Sequence, residues 1–161
     1  MGPVETWPVS LKTATALLLQ SAVPIVMLWG EEGVMIYNDA YSAFVGHRYP
    51  SLFGSSVREG GAEVADFNDN VMKGGLSGRT LAYRDQELTV HRKGYPDQVW
   101  MNLDCSPVID ETGKPAGVIA IVVETTERGG ALGHASFSKY YRANSMEPQT
   151  SNIGRRACRL C

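Results

Sequence analysis

The segment Val34–Gly54, VMIYNDAYSAFVGHRYPSLFG, decides how the rest of the chain is read. Val34, Met35, Ile36 and Tyr37 favour a short strand. Asn38 or Asp39 then offers a side-chain oxygen that caps a helix by accepting a backbone N–H. Tyr41, Phe44 and Val45 recur at helical spacing, which predicts a two-turn helix. Gly46 suits the left-handed position beyond a helix end. A second short helix is expected after it, closed by Gly54.

Working outward, Pro24 to Gly30 (PIVMLWG) reads as a strand, and Glu31-Glu32-Gly33 as the turn joining it to Val34–Tyr37 in a hairpin. Ahead of it, residues 1–9 form a leader in which Pro3 and Pro8 discourage helix. Ser10 is a plausible N-cap, and Leu11, Ala14, Leu18 and Ala22, widened by Leu17 and Leu19, predict an amphipathic helix over Leu11–Ala22. Downstream, Val64, Phe67 and Val71 predict a helix from Ala62 to Lys73, set off by Gly60-Gly61 and ended by Gly74-Gly75. Three strands follow, over Arg79–Arg92, Val99–Ile109 and Ala116–Thr125, separated by turns at 93–98 and 110–114. The run GVIAIVV alternates poorly, as a central strand buried on both faces does. Antiparallel strands interrupted by a helical block indicate an α+β fold.

The 161 residues suit one domain. It is expected to comprise a leader and flanking helix (1–22), a main domain (23–128) and a disordered tail (129–161) rich in Gly, Ser, Asn and Arg. The net charge of −2 hides an asymmetry: residues 1–128 carry 10 Lys+Arg against 16 Asp+Glu, and residues 129–161 carry 5 against 1. An acidic domain argues against nucleic-acid binding, which needs a positive surface. No apolar run reaches eighteen residues and no basic segment precedes an apolar one at the N-terminus, so neither membrane insertion nor a secretory signal is expected and the location is taken as cytoplasmic. Cys105, Cys158 and Cys161 are odd in number and make no disulfide framework. Cys158 and Cys161 form a lone C-x-x-C, short of the four ligands of a structural zinc site, and are read as free thiols.

Four pieces in order carry a family resemblance over about Ser21–Arg128: the YNDAY segment with Gly46 and Gly54, the helical block, the hairpin VWMNLDCSPVIDETGKPAGVIAIVVE, and the ending ETTER at Glu124–Arg128. Together they resemble a PAS domain, the sensor module common in bacterial signalling proteins. The leader GPVETWPVSLKT with WGEEGVMIYNDAY is most similar to PAS domains of bacterial sensor histidine kinases. The resemblance implies a five-stranded antiparallel sheet with short helices on one face, a flanking N-terminal helix, and ligand or partner binding rather than catalysis. This chain departs from the subgroup at Gly60, Gly61 and Ala65, where large residues are usual, and at Cys105, where Tyr is usual. Two readings stay open: a wider cavity, or an altered copy that folds less well. After Arg128 there is no heptad pattern, phosphoacceptor histidine box or glycine-rich ATP-binding region. The first functional reading is therefore a sensory module that binds a small ligand or a partner domain and relays a conformational signal. The alternatives are the sensor region of a two-component histidine kinase without its catalytic core, and a dimerisation module with no ligand.

Side chains alternate across a strand, so Val99, Met101, Leu103 and Cys105 share one face and Trp100, Asn102, Asp104 and Ser106 the other. Met101, Leu103 and Cys105 are the candidate pocket residues there, faced by Phe44, Val64, Phe67 and Val71 from the helices. The first hairpin adds Met27 and Trp29, or their neighbours. The plainer reading makes the same set core, as an apolar strand face usually is. Leu11, Leu18 and Trp100 are the candidates for a flanking-helix contact or a homodimer through the N-terminal helix and the outer sheet face. Glu124 and Thr126 are the candidate signal relay that the resemblance implies. No cysteine lies between residues 1 and 104, so no flavin adduct is expected. Ala62–Lys73 holds no histidine, and His47, His91 and His134 are read as exposed, so no haem is expected. A small apolar ligand remains open. Pairs such as Asp104 with Ser106 and Glu59 with Glu63 are read as surface groups rather than catalysts, and no phosphate-cradling loop occurs.

Overall fold

The computed structural model describes residues 2–48, 50–60 and 62–126. The expected disordered tail, with His134, Cys158 and Cys161, lies outside the described residues, as does Gly61. A helix α1 (Val9–Leu19) leads into the hairpin β1 (Ile25–Trp29) and β2 (Val34–Tyr37). The helical block follows as α2 (Asp39–Val45), the short α3 (Val57–Gly60) and α4 (Ala65–Leu76). The long strands β3 (Leu81–Val90), β4 (Asp97–Ile109) and β5 (Pro115–Glu124) complete the domain. All five strands join one antiparallel sheet in the order β2-β1-β5-β4-β3. β5, last in sequence, lies at the centre, but the expected burial on both faces holds only in part: Val118, Ala120 and Val122 are buried and Ile119 packs under α1, whereas Ile121 and Val123 are exposed on the outer face.

The sheet carries apolar side chains on both faces. On one, Val26, Leu28, Val99, Met101, Leu103, Cys105, Val118, Ala120 and Val122 pack beneath the helices with Val45, Val57, Val71 and Met72. On the other, Ile25, Met27 and Ile36 are covered by Leu11 and Leu18 of α1. Helix α1 therefore flanks the sheet from the side opposite to the other helices.

Local chemistry sets the element ends. Asn38 is buried, and its Oδ1 accepts from Tyr41 N at 3.0 Å, capping α2, and from Ile25 N at 3.1 Å. Its amide donates to the carbonyls of Ser21 and Val23 at 3.0 and 2.7 Å. One side chain thus caps a helix and satisfies the backbone leading into β1. Ser10, expected as an N-cap, instead lies inside the first turn of α1, and its N–H donates to Glu111 Oε1 at 2.7 Å from the β4–β5 turn.

Two other expectations are corrected. A single 3-10 turn at Gly46–Arg48 follows α2, and residues 50–54 then form turns rather than a helix closed by Gly54; Pro50 among them offers no N–H to a helical ladder. Gly74 and Gly75 do not end their helix but sit within it, since α4 runs on to Leu76. The reason is packing: a Cβ on Gly75 would collide with Val118 of β5, and one on Gly74 with Leu81 of β3. These glycines let α4 lie close on the sheet, which offsets their poor helix propensity.

A candidate cavity and the network beside it

Between the sheet and the helices lies an apolar cavity of about 100 Å³. Its sheet wall includes Val26 and Leu28 of β1, Leu88 and Val90 of β3, Met101, Leu103 and Cys105 of β4, and Ala120 and Val122 of β5. Tyr41, Phe44, Val64, Phe67, Asn68 and Val71 line it from the helical side. Phe44, Val64, Phe67, Met101, Leu103 and Cys105 are thus brought together as the sequence suggests. Met27 and Trp29 are not: they point to the opposite face, in the cluster covered by α1. Their neighbours Val26 and Leu28 take the cavity positions. β1 is apolar at every position, so its pattern carries no parity to read.

The polar atoms in this lining are held neutral. Burial pushes the Tyr41 hydroxyl up to about 12, against a smaller opposing pull from Arg48. Burial likewise pushes the Cys105 thiol up to about 11, helped by Asp104. A neutral, buried thiol is a poor nucleophile. Gly60 does not widen the cavity, because the side chains of Leu52 and Met35 fill the space a Cβ would take there. Cys105 does border it.

A charged network stands just beyond the cavity, where β3, β4 and β5 end or begin. Arg92 binds both carboxylate oxygens of Glu124, at 2.7 and 3.0 Å, and donates from Nε to Asp97 at 2.8 Å. Its bond to Glu124, with that to Asp97, raises the guanidinium further above its ordinary range, so it stays charged. The same bond, with a second from Thr126, holds Glu124 below the usual carboxylate range although partial burial opposes this. Thr126 Oγ1 donates to Glu124 at 2.7 Å and accepts from Trp100 N at 3.3 Å. Thr125 is buried; its N–H donates to Trp100 O at 2.7 Å and its hydroxyl to Asp85 at 2.8 Å. Asp85 has a positive φ of 46° at the bulge where the β3–β4 register shifts. Glu124 and Thr126 are thus tied into the sheet, and the sequence did not disclose Arg92 as the partner of Glu124, Asp97 as the second acceptor for Arg92, or Asp85 as the partner of Thr125. Residues 85, 92 and 97 lie far from 124 along the chain, so no local spacing links them.

On the outer face, Leu11 and Leu18 are 2% and 0% exposed within the chain. They make the flanking-helix contact and are not available to a partner. Trp100 is half-buried and stands apart from the cluster under α1. Exposed apolar residues here are Leu17 of α1 and Ile121 and Val123 of β5. Among the described residues no three His, Cys, Asp or Glu side chains converge as metal ligands, and no helix is long and apolar enough to cross a membrane.

No family model matches the chain, and no curated protein matches it. Solved structures do. The PAS domain of Bordetella pertussis BvgS matches 76% of this chain and 90% of its own, with 20% identity and a TM-score of 0.59. A LOV protein of Rhodobacter sphaeroides matches over 76% and 70%, with 17% identity and a TM-score of 0.56. A sensory box sensor histidine kinase structure from Vibrio cholerae matches over 73% and 92%, with 19% identity and a TM-score of 0.50. At such identities the agreement concerns the fold. The sheet order, the helical block over one face and these matches together show that the chain has the fold of a PAS domain.

Proposed function

We propose that this chain is a sensory module: a small molecule in the cavity shifts the balance between two packings of sheet and helices, and the end of β5 passes the shift on. One observation carries the reading. Met101, which lines the cavity, is the register partner of Glu124, which anchors the network. Val90, the last residue of β3, and Val122 of β5 line the cavity too, two residues before Arg92 in the following turn and Glu124 at the end of β5. A change in the cavity wall therefore reaches the network through adjacent positions on β3, β4 and β5. The PAS fold supports the reading, and the name of the Vibrio cholerae neighbour suggests a sensor histidine kinase as the setting. In this proposal the chain binds and relays, and does no chemistry itself. The test is to purify the chain, denature it, and analyse what is released by absorbance and mass spectrometry. A stoichiometric small molecule is expected; a chain that releases nothing and takes up no small molecule contradicts ligand sensing.

A second reading, association of two copies through α1 and the outer face, is favoured by the exposure of Leu17 (70%) and Val123 (49%). If it holds, Leu17→Glu combined with Val123→Glu yields a folded monomer by sedimentation. An unchanged sedimentation coefficient counts against it.

A further inference from the structure

We infer that the cavity takes an uncharged molecule about the size of one aromatic ring, bearing a single hydrogen-bonding group. The inference deepens the sensory reading and rests on it for there being a ligand.

Size comes first. The cavity measures about 100 Å³. An engineered apolar cavity of about 150 Å³ holds benzene, whereas sites for drug-sized ligands run to about 300–1,000 Å³. A single ring therefore marks the upper limit, and fused rings or a large cofactor exceed it. The room comes from a specific pair: Cys105 and Ala120, both small, are register partners on β4 and β5 and both border the cavity.

Charge comes second. Among the described residues, none that lines the cavity is Lys, Arg, His, Asp or Glu. An ionised ligand would lose its hydration with no charged side chain among the described lining residues to replace it, at a large energetic cost. Tyr41 and Cys105 are themselves kept neutral by burial.

Polarity comes third. Among the described lining residues, Asn68 brings the one side-chain amide and Tyr41 a hydroxyl as the other strong hydrogen-bonding group. One polar group on the ligand can be met there; several would be left unpaired in an otherwise apolar wall.

The test uses the full chain with ¹³C-labelled methionine methyls, titrated at neutral pH with phenol, benzene, benzoate and 2-naphthol. Met35 and Met101 line the cavity, while Met27 lies on the far face of the sheet and serves as an internal control. Phenol is expected to shift Met35 and Met101 saturably and leave Met27 in place. Benzoate, of one-ring size but charged, and 2-naphthol, uncharged but two rings wide, are expected to shift neither. Ala120→Leu, which fills the cavity floor, is expected to abolish the phenol response; Val64→Phe fills it from the helical side should the first variant fail to fold. Asn68→Leu should remove any preference for phenol over benzene. Benzoate binding at these methyls overturns the charge argument. 2-Naphthol binding there overturns the size argument while leaving ligand sensing intact. No response to any probe overturns the inference and, with an empty purified chain, ligand sensing as well.

Discussion

Asn38 joins three backbone segments, and its value lies in what is stranded without it. Asn38→Ala removes the cap of α2 and leaves Ile25 N–H and the Ser21 and Val23 carbonyls without this partner. A loss of about 1–3 kcal/mol in unfolding free energy is expected, measured by denaturant titration. The capping role is legible in the sequence, since Asn before a helical run is a recognised signal; its bonds to Ser21 and Val23 are not, because they require the hairpin to have closed. Cys105 makes a second prediction. With the thiol pushed up to about 11, a chain carrying Cys158→Ser and Cys161→Ser should resist iodoacetamide at pH 7.5 and react when unfolded. Rapid alkylation of the folded protein would show an accessible thiolate. Glu124 makes a third. Its carboxyl is depressed in the folded state, so the pairing with Arg92 stabilises fully above the unfolded carboxylate value of about 4.3 and is lost as pH falls through the lower folded value. Acid unfolding of Glu124→Gln should therefore lose part of the pH dependence below about 4 that the parent shows, while its stability at pH 7 is lower. Equal curves would mean that the pairing contributes nothing.

Among the elements, the strands were legible and the helical contacts were not. β4 alternates buried and exposed residues over most of its length, so its two faces could be assigned from spacing alone. β1 is apolar throughout, so its parity leaves no trace in the sequence and is set by α1 covering Met27. Gly74-Gly75 reads as a helix end when propensity is the only guide; the nearness of Val118 and Leu81 reverses that reading, and nothing in the local sequence announces it. Gly75→Ala is thus expected to destabilise by about 1–3 kcal/mol through overpacking, although alanine is the better helix former by about 1 kcal/mol. A neutral or stabilising result in a thermal melt would mean that α4 does not depend on this close approach. The N-terminal helix is anchored by burial: Leu18→Ala removes a fully buried side chain and should cost about 2–5 kcal/mol. Leu17→Ala, at an exposed position, should be close to neutral.

The whole molecule places two systems side by side: an apolar cavity whose wall is shared by all five strands, and a charged network at the end of β5. In the proposed sensory reading, their adjacency at Met101 and Glu124 makes cavity occupancy and the hold on Thr125 and Thr126 parts of one equilibrium. The pocket residues of β4 and of the helices were legible as an apolar set, because burial on one face leaves a periodic trace. The network was not, since Arg92 meets Glu124, and Asp85 meets Thr125, only once the sheet has formed. The most direct measurement is amide hydrogen exchange at Thr125, whose N–H is held by Trp100 O, in the parent chain and in Val64→Phe, which fills the cavity without touching β5 in sequence. Protection at Thr125 is expected to differ between the two while that at Met27, on the hairpin away from the network, stays the same. Identical protection at Thr125 with the cavity filled would contradict the coupling on which the sensory reading depends.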